Sequence, residues 1–383
     1  MKKVWIVGAI IAIAYTNIYF IHQGGNNYYA NLADSLRIAY SQNPSLWPKA
    51  DVDDSVAYHE IAMLPESPYF DRARTDSVFA ARVELGKMLF FDPRLSGSNQ
   101  ISCGTCHEPE MGWSNGRSTA VGHDHQVGAR NVPTLVNAWA AKSFFWDGRV
   151  NSLETQAMAP ISNDIEMHML PGQLPEKLGA IKGYRDLFRK AFNTKEITME
   201  QVSDALADFQ RTISSRRGRF DAFMSGNYKA MSDQEILGMH LFRTKARCMN
   251  CHNGPYFTDS EFHNLGLHYY GRDKYEDFGR YNITHKKEDV GKFKTPTLRD
   301  VAITRPWMHN GLFDDLGGII NLYNAGGSRP KPRPHVANDP LFPTTSAMLK
   351  KLDLTEVEKE AIVAFLHTLG TTSYRINRPD LPK

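Results

Sequence analysis

The chain has 383 residues, of which 42% are hydrophobic and 23% charged, and its 45 Lys and Arg are nearly balanced by 42 Asp and Glu. This ordinary composition excludes a disordered, collagen-like or disulfide-scaffold protein. A formal net charge of +3 argues against the broad basic surface with which proteins bind nucleic acid. At this length a chain usually folds as two domains of roughly 150 residues each.

The N-terminal segment, residues 1–23, has the pattern of an export signal. Lys2 and Lys3 precede an apolar run from Val4 to Ile21. A run of about 18 residues is at the lower limit for crossing a bilayer and longer than the usual apolar region of a cleaved signal peptide. The segment is therefore predicted to be either a signal peptide or a retained inner-membrane anchor. In both cases the rest of the chain is expected in the periplasm.

The segment at residues 24–75 is polar and contains several prolines, and it is predicted to be a spacer with one helix over residues 28–42. Another helix is predicted to begin near Asp76, with Val78, Leu85, Met88 and Leu89 as buried positions. Three more helices are marked by capping boxes, in which a Ser or Thr is followed three residues later by Glu or Gln. These boxes begin at Thr198, Ser232 and Thr355.

The four cysteines fall in one motif, Cys-x-x-Cys-His, that occurs twice. The two copies consist of Cys103, Cys106 and His107 and of Cys248, Cys251 and His252. Thiols about one helical turn apart can each form a thioether with a haem vinyl group, and the adjacent imidazole can then bind the iron. A single zinc site is a poor alternative because the two pairs are far apart in sequence. The motifs predict two covalently bound haem c groups.

Each motif is preceded by a helix and followed by a loop-rich stretch and another helix, and no β-rich block occurs. This is the layout of a cytochrome c domain, and it occurs twice. We therefore predict a mainly α fold with two cytochrome c-like domains, one at residues 76–228 and one at residues 229–383. Each domain is expected to hold one haem.

Short strings beyond these motifs, between about residues 80 and 370, resemble the bacterial di-haem cytochrome c peroxidase and MauG superfamily. They are Leu85 to Lys87 with Phe90 to Arg94, Arg130 to Thr134, Phe145 to Arg149, Lys294 to Arg299, and Met308 to Gly311. The resemblance implies a peroxidase that reduces hydrogen peroxide to water. Electrons from a small cytochrome c or cupredoxin would pass through the C-terminal haem to the N-terminal haem.

For the N-terminal haem, the resemblance implies a distal pair of side chains that handle peroxide. Glu166 matches the glutamate that shuttles a proton between the peroxide oxygens, and Gln156 matches the glutamine that orients peroxide or water. His123 lies where the peroxidases of the family carry a labile iron ligand, with His125 as a rival. MauG-type members lack that ligand.

Between the haems, the resemblance implies an electron relay and a calcium ion. Trp146 matches the tryptophan that passes an electron between the two haems. Asn131, Thr304 and Pro306 match the calcium site, in which an amide oxygen and backbone carbonyls supply the hard ligands that calcium prefers.

The sequence departs from the typical peroxidases of the family at the sixth ligand of the C-terminal haem. These enzymes have a methionine there, whereas the matching residue is Tyr323, which is the MauG choice. A hard, anionic phenolate stabilises oxidised iron and lowers the potential. Met308 is a weaker competing ligand, and His309 is expected to support this haem without binding the iron.

Three functions from different classes follow from these observations. The main prediction is a di-haem peroxidase supplied by a small redox protein, and the first alternative is MauG-like oxidation of residues in a partner protein. A non-enzymatic electron carrier is the second alternative, but a carrier has no use for the acid-base pair of Glu166 and Gln156. Tyr323 favours the MauG-like function, and His123 favours the peroxidase function. The resemblance also makes a homodimer an expectation.

Overall fold

The computed structural model describes residue 32, residues 34–371 and residues 375–383. The predicted signal or anchor segment, residues 1–23, lies outside the described residues. Among the residues that are described, no helix is both long enough and apolar enough to cross a membrane.

The described chain is mostly helical, as predicted, and its strands are few and short. The helices are α1 (residues 34–40), α2 (Pro68–Thr75), α3 (Ser77–Phe91), α4 (Cys103–Cys106), α5 (Leu153–Ser162), α6 (Leu174–Gly179), α7 (Lys182–Phe192), α8 (Met199–Arg211), α9 (Arg219–Met224), α10 (Asp233–Arg243), α11 (Tyr281–Thr284), α12 (Leu316–Asn324) and α13 (Glu356–Leu366). Two-residue strands, β1 (Phe262–His263) and β2 (Phe293–Lys294), pair antiparallel, with β1 starting opposite the end of β2.

The three predicted capping boxes all begin helices. At the start of α8, the Thr198 hydroxyl accepts the backbone N–H of Gln201, and the Gln201 side chain accepts that of Thr198, each at 3.2 Å. Helices α10 and α13 begin in the same way after Ser232 and Thr355. These starts depend on contacts within four residues, which is why the sequence alone could locate them.

Helix α3 also begins where the sequence predicts. The Asp76 carboxylate accepts the backbone N–H groups of Val78 and Phe79, each at 3.0 Å. Leu85 and Leu89 are fully buried as expected, but Val78 is 50% exposed. The prediction for Val78 was wrong because Phe79 is the residue of the first turn that faces the core, about 100° further round the helix.

A close helix crossing at a glycine recurs in the two halves of the molecule. Gly86 on α3 packs against the backbone carbonyl of Ala205 on α8, and Gly238 on α10 packs against that of Ala361 on α13. A Cβ atom at either glycine would overlap the facing carbonyl. Only glycine therefore allows the two helices of each pair to approach so closely.

A loop also recurs in the two halves, at residues Phe144–Val150 and Trp307–Phe313. In each loop the backbone N–H of the first residue donates to the carbonyl of the last, at 2.8 Å and 2.7 Å. Trp146 and His309 occupy the same, third position of their loops. The repeated crossing and the repeated loop match the predicted layout of one structural unit that occurs twice.

Two hydrophobic cores correspond to the two halves. The first core contains α3, α7 and α8. The second core contains α10, α12 and α13 together with α9, which precedes the predicted domain boundary at residue 228. It also takes in side chains from the predicted spacer, namely Leu36, Tyr40, Trp47, Ala50 and Ile61. This part of the chain is thus packed on the second half.

Buried cations fix the predicted spacer to the second half. The side chain of Arg299 is fully buried, and it donates to Asp221 at 2.8 Å and to the backbone carbonyl of Ala62 at 2.9 Å. Arg243, which is also buried, donates through Nε to the Glu60 carboxylate at 2.9 Å. Removing either cation would leave a poorly solvated carboxylate without its partner.

Replacing Arg299 with alanine is expected to lower the free energy of unfolding by about 3–5 kcal/mol, because Asp221 would remain buried and unpaired. Urea unfolding of the haem-loaded protein measures the change. Lys182→Ala, which breaks an exposed pair with Asp186, is the control and should cost less than about 1 kcal/mol. Equal, small losses in both variants would show that the buried pair does not hold the fold together.

Candidate functional site

Both Cys-x-x-Cys-His motifs contribute to the wall of one large cavity, with a volume of about 1520 Å³. Its lining includes Cys106 and His107 of the first motif and Cys248, Cys251 and His252 of the second. It also includes seven of the predicted site residues, namely Gln156, Glu166, Trp146, Tyr323, Asn131, Thr304 and Pro306. Residues far apart in sequence therefore meet around a single space.

The two motif histidines are held in the same way. His107 Nδ1 lies 3.0 Å from the backbone carbonyl of Trp113, and His252 Nδ1 lies 2.9 Å from that of Phe257. A carbonyl only accepts, so each Nδ1 carries the proton and each Nε2 keeps its lone pair. Burial lowers the pKa of His107 to about 4 and also lowers the pKa of His252. Both imidazoles are thus neutral and suited to bind a metal.

The four motif cysteines are free thiols. Burial raises the pKa of Cys103 and of Cys248 to about 12, and that of Cys106 to about 11. These three thiols remain protonated at neutral pH, and none of the four cysteines is in a disulfide. Four available thiols, two oriented imidazoles and a large cavity fit two haem groups held by the motifs.

Glu166 lies near the first motif. Its negative charge raises the pKa of the Cys106 thiol, which places the carboxylate close to that sulfur. Burial raises the pKa of Glu166, while Arg149 and a 3.1 Å hydrogen bond from Asn163 Nδ2 oppose that rise. Gln156, on α5, lines the same cavity. The structure therefore brings both predicted distal residues to the cavity.

His123 lies beside the Glu166 segment, because its backbone N–H donates to the Glu166 carbonyl at 2.9 Å. Its imidazole stacks on that of His168, with ring centroids 4.5 Å apart, and its Nε2 is 3.4 Å from Asp124. His123 is not among the residues that line the cavity. The rival, His125, is exposed. In this arrangement, neither imidazole reaches the cavity.

Tyr323 lies on α12, on the side of the second motif. Burial raises the pKa of its phenol, and the nearby Cys251 and Cys248 add to that rise. The phenol is therefore close to the sulfur atoms of the second motif. Met308 and His309 line the same cavity, so the structure keeps all three predicted groups near the second motif.

Trp146 lies where the two halves meet. Its indole N–H donates to the backbone carbonyl of Asn131 at 2.8 Å, and its own carbonyl accepts the N–H of Lys294 at 2.8 Å. The indole contacts His309 edge-on, with centroids 6.5 Å apart. His309 in turn stacks on Phe293, with centroids 3.5 Å apart. The two repeated loops thus bring one aromatic ring from each half into contact.

The predicted calcium ligands also meet at the cavity. The amide nitrogen of Asn131 donates to the backbone carbonyls of Arg117 and Ser118, at 3.0 Å and 3.3 Å. This orientation leaves the amide oxygen available as a ligand. Thr304 and Pro306 line the same cavity as Asn131. Neutral oxygen donors of this type fit a calcium ion.

Two charged groups near Trp146 had no role assigned from the sequence. Arg130 donates to Asp147 at 2.6 Å and to Asp277 at 2.7 Å, which joins the two halves by an ion-pair network. Lys294 donates to the carbonyl of Ser143 at 2.5 Å, and burial lowers the pKa of its amine to about 8. Arg130, Asp147 and Lys294 lie in the quoted strings, whereas Asp277 lies in none, so no sequence signal could have found it.

The fold and the site together define a class, the helical haem oxidoreductases with two cofactor sites on one cavity. Comparison with known proteins identifies the family. Residues 80–229 match the family model described as di-haem cytochrome c peroxidase. The chain is 39% identical over 304 residues to the methylamine utilization protein MauG of Methylorubrum extorquens, covering 79% of this chain and 81% of that protein.

Other known proteins support the same assignment. The chain is 37% identical over 303 residues to cytochrome c551 peroxidase of Nitrosomonas europaea, covering 79% of this chain and 84% of that protein. A solved structure of a MauG-like protein associated with microbial copper homeostasis superposes with a TM-score of 0.69 and 29% identity, covering 82% of this chain and 94% of that one. The chain belongs to the di-haem cytochrome c peroxidase family. The predicted family and the predicted peroxidase-type oxidoreductase activity are confirmed, and haem is the cofactor of this family.

Proposed function

We propose that the chain reduces hydrogen peroxide to water in the periplasm with electrons from a small redox protein, a cytochrome c or a cupredoxin. Two haem c groups would be held by Cys103, Cys106 and His107 and by Cys248, Cys251 and His252. When bound, they supply the redox-active iron that peroxide needs. The arrangement of the cavity carries the proposal, because Glu166 lies beside the first motif, Tyr323 beside the second and Trp146 between the halves.

Glu166 is the acid-base group of the proposed reaction. Its carboxylate takes a proton from one peroxide oxygen and returns it to the other, which leaves as water. The hydrogen bond from Asn163 orients the carboxylate, and burial keeps its pKa above the usual value. Gln156 positions peroxide by donating from its amide and accepting at its carbonyl.

Trp146 and Tyr323 serve the electron path from the second site to the first. Trp146 contacts His309 of the other half, so its indole offers a stepping point between the two sites. Tyr323 would supply an oxygen ligand to a haem iron held at the second site, where an anionic phenolate favours oxidised iron. The same residue supports the second candidate function, MauG-like oxidation of residues in a partner protein.

Asn131, Thr304 and Pro306 would bind one calcium ion between the two sites. The Asn131 amide nitrogen is already used by two carbonyls, so its oxygen is the available ligand. Waters would complete the shell, because three neutral ligands are fewer than the six to eight that calcium takes.

A stoichiometric assay separates the proposed function from the second candidate. Reduction of one peroxide to water consumes two electrons, so two molecules of a reduced small cytochrome c should be oxidised for each peroxide. The disappearance of the reduced cytochrome band measures this ratio. Peroxide loss without cytochrome oxidation, accompanied by covalent change in an added partner protein, would replace the proposed function with the MauG-like one.

The proposed role of His123 as a blocking ligand gives a prediction about redox state. The His123 imidazole lies outside the cavity in this structure, so its loop would have to move to bring it to the first site. If it binds there in the fully oxidised protein, that protein is expected to consume peroxide only after a lag, and His123→Ala should abolish the lag. His125→Ala, which removes the exposed neighbour, should keep the lag. Immediate peroxide consumption by the oxidised wild-type protein would exclude His123 from the ligand set.

A further inference from the structure

Three oxidisable aromatic rings form a chain from the cavity towards the surface, separate from Trp146. The ring centroids of Tyr256 and Trp139 are 5.8 Å apart, with the ring planes at 88°. Those of Trp139 and Tyr69 are 5.9 Å apart, with the planes at 71°. Each ring therefore touches the next edge-on. Because Tyr256 comes from the second half and Trp139 from the first, the chain crosses between the halves.

The inner end of this chain lies at the second haem site. Tyr256 lines the cavity and immediately precedes Phe257, whose carbonyl accepts from the His252 imidazole. The Thr297 hydroxyl holds Tyr256 in place by donating to its backbone carbonyl at 2.6 Å. A ring at this position is thus fixed next to the segment that orients the metal-binding histidine.

The outer end of the chain is Tyr69, in the first turn of α2. Tyr69 is partly exposed and lines a polar surface cleft of about 270 Å³. The other residues that line this cleft are Arg72, Arg82, Glu154, Asp204, Asp208 and Arg211. Arg211 lies 5.9 Å from the Tyr69 ring centroid, but it is paired with Glu154 and Asp208, so its charge at the ring is offset.

The fold itself does not require an aromatic ring at position 256. In the first half, the Thr134 hydroxyl donates to the backbone carbonyl of Gly112 at 2.6 Å, as Thr297 does to Tyr256 in the second. Gly112 thus occupies the matching position, without a side chain. The ring of Tyr256 is therefore an addition in the second half, and it contacts Trp139.

We propose that Tyr256, Trp139 and Tyr69 form a relay that carries electrons from the surface cleft to the second haem site. This proposal rests on the proposed function. The rate of electron transfer falls off exponentially with distance. Two short steps between touching rings, followed by one from Tyr256 to the haem site, are therefore faster than one long step. Phenol and indole can each give up one electron, whereas a phenyl ring cannot do so at comparable potentials.

The electrons that pass through the relay can be accounted for when peroxide is present and the redox protein is absent. Reduction of peroxide to two waters takes two electrons and two protons. The protons come from solvent, and the two haem groups, once bound, would supply one electron each. The relay then returns one electron to the second site. That electron leaves Tyr69, passes through Trp139 and Tyr256, and is replaced by no other donor. The phenolic proton of Tyr69 goes to solvent, and a neutral tyrosyl radical remains at the cleft.

The experiment treats the haem-loaded protein with peroxide in the absence of a donor. Electron paramagnetic resonance detects the tyrosyl radical, and peptide mass spectrometry locates the oxidised residues. Tyr69 is expected to be modified more than Tyr275, although Tyr275 is 54% exposed. Trp139→Phe should lower the radical signal and the modification of Tyr69 several-fold. Trp139→Tyr keeps an oxidisable ring and should restore much of both.

Trp47→Phe is the matched control, because Trp47 is also a packed tryptophan with one hydrogen bond but belongs to the second core. In this variant, the extent of Tyr69 modification should equal that in the wild-type protein. If the wild-type protein consumes peroxide while Tyr69 stays unmodified, or if Trp139→Phe changes nothing, the relay is overturned and the proposed function stands. If the wild-type protein consumes no peroxide with or without a donor, both are overturned.

Discussion

Replacing Glu166 with glutamine is expected to lower the rate of peroxide reduction at least about a hundred-fold, because the amide cannot carry a proton between the peroxide oxygens. Glutamine keeps the size of the side chain and the ability to accept from Asn163. The absorption spectra of both haems should therefore remain nearly unchanged. Steady-state peroxide reduction with a reduced small cytochrome c measures the loss.

The control for this variant is Asp164→Asn, because Asp164 is an exposed carboxylate two residues away. It should retain the wild-type rate. The pH profile is a second readout. Burial raises the pKa of Glu166, and the ionised carboxylate is the base, so the wild-type rate should fall as the pH drops through that raised pKa. If Glu166→Gln reduced peroxide at the wild-type rate and its rate fell with decreasing pH in the same way, Glu166 would have no part in the mechanism.

Replacing Tyr323 with methionine is expected to raise the reduction potential of the second haem by at least about 0.1 V, a fraction of the roughly 0.8 V over which axial ligands set haem potentials. A soft thioether favours reduced iron, whereas a phenolate favours oxidised iron. The phenol lies near Cys248 and Cys251, so a methionine side chain at position 323 would also lie near the second motif. A spectroscopic redox titration measures the shift.

Met308→Leu distinguishes Tyr323 from its competitor. Met308 lines the same cavity, and leucine has a similar volume without a sulfur atom. This variant should leave the potential of the second haem unchanged. A shift in Met308→Leu together with no shift in Tyr323→Met would assign the ligand to Met308.

The features that could be predicted from the sequence depend on short stretches of chain. The capping box at Thr198 and the helix start near Asp76 depend on contacts within four residues, and the structure confirms both. The cysteine motifs are equally local. The family resemblance added the distal, relay and calcium residues, and all six of these residues line one cavity.

The features that could not be predicted depend on contacts between distant segments. The predicted spacer contains Glu60 and Ala62, whose partners Arg243 and Arg299 lie far along the chain, and its apolar side chains are few and irregularly spaced. Asp277 meets Arg130 only because the two halves pack together. The contact of Tyr256 with Trp139 has the same origin.

Repetition of one structural unit explains how this fold produces two related sites with different roles. Each half supplies a close helix crossing, a cysteine motif and a loop with an aromatic residue at its third position. The differences lie in the residues added to this frame. Glu166 stands near the first motif and Tyr323 near the second, so the proposed proton transfer and the proposed storage of oxidising equivalents belong to separate halves.

We propose that each half binds one haem through its own pair of thiols. Intact mass spectrometry of the protein purified from a host that matures c-type cytochromes counts the bound haem groups. The mass is expected to equal that of the polypeptide plus two haem groups, with a single haem remaining in the double variant Cys248→Ala, Cys251→Ala. A wild-type mass with no added haem, or with only one, would show that at least one pair of thiols does not hold a haem.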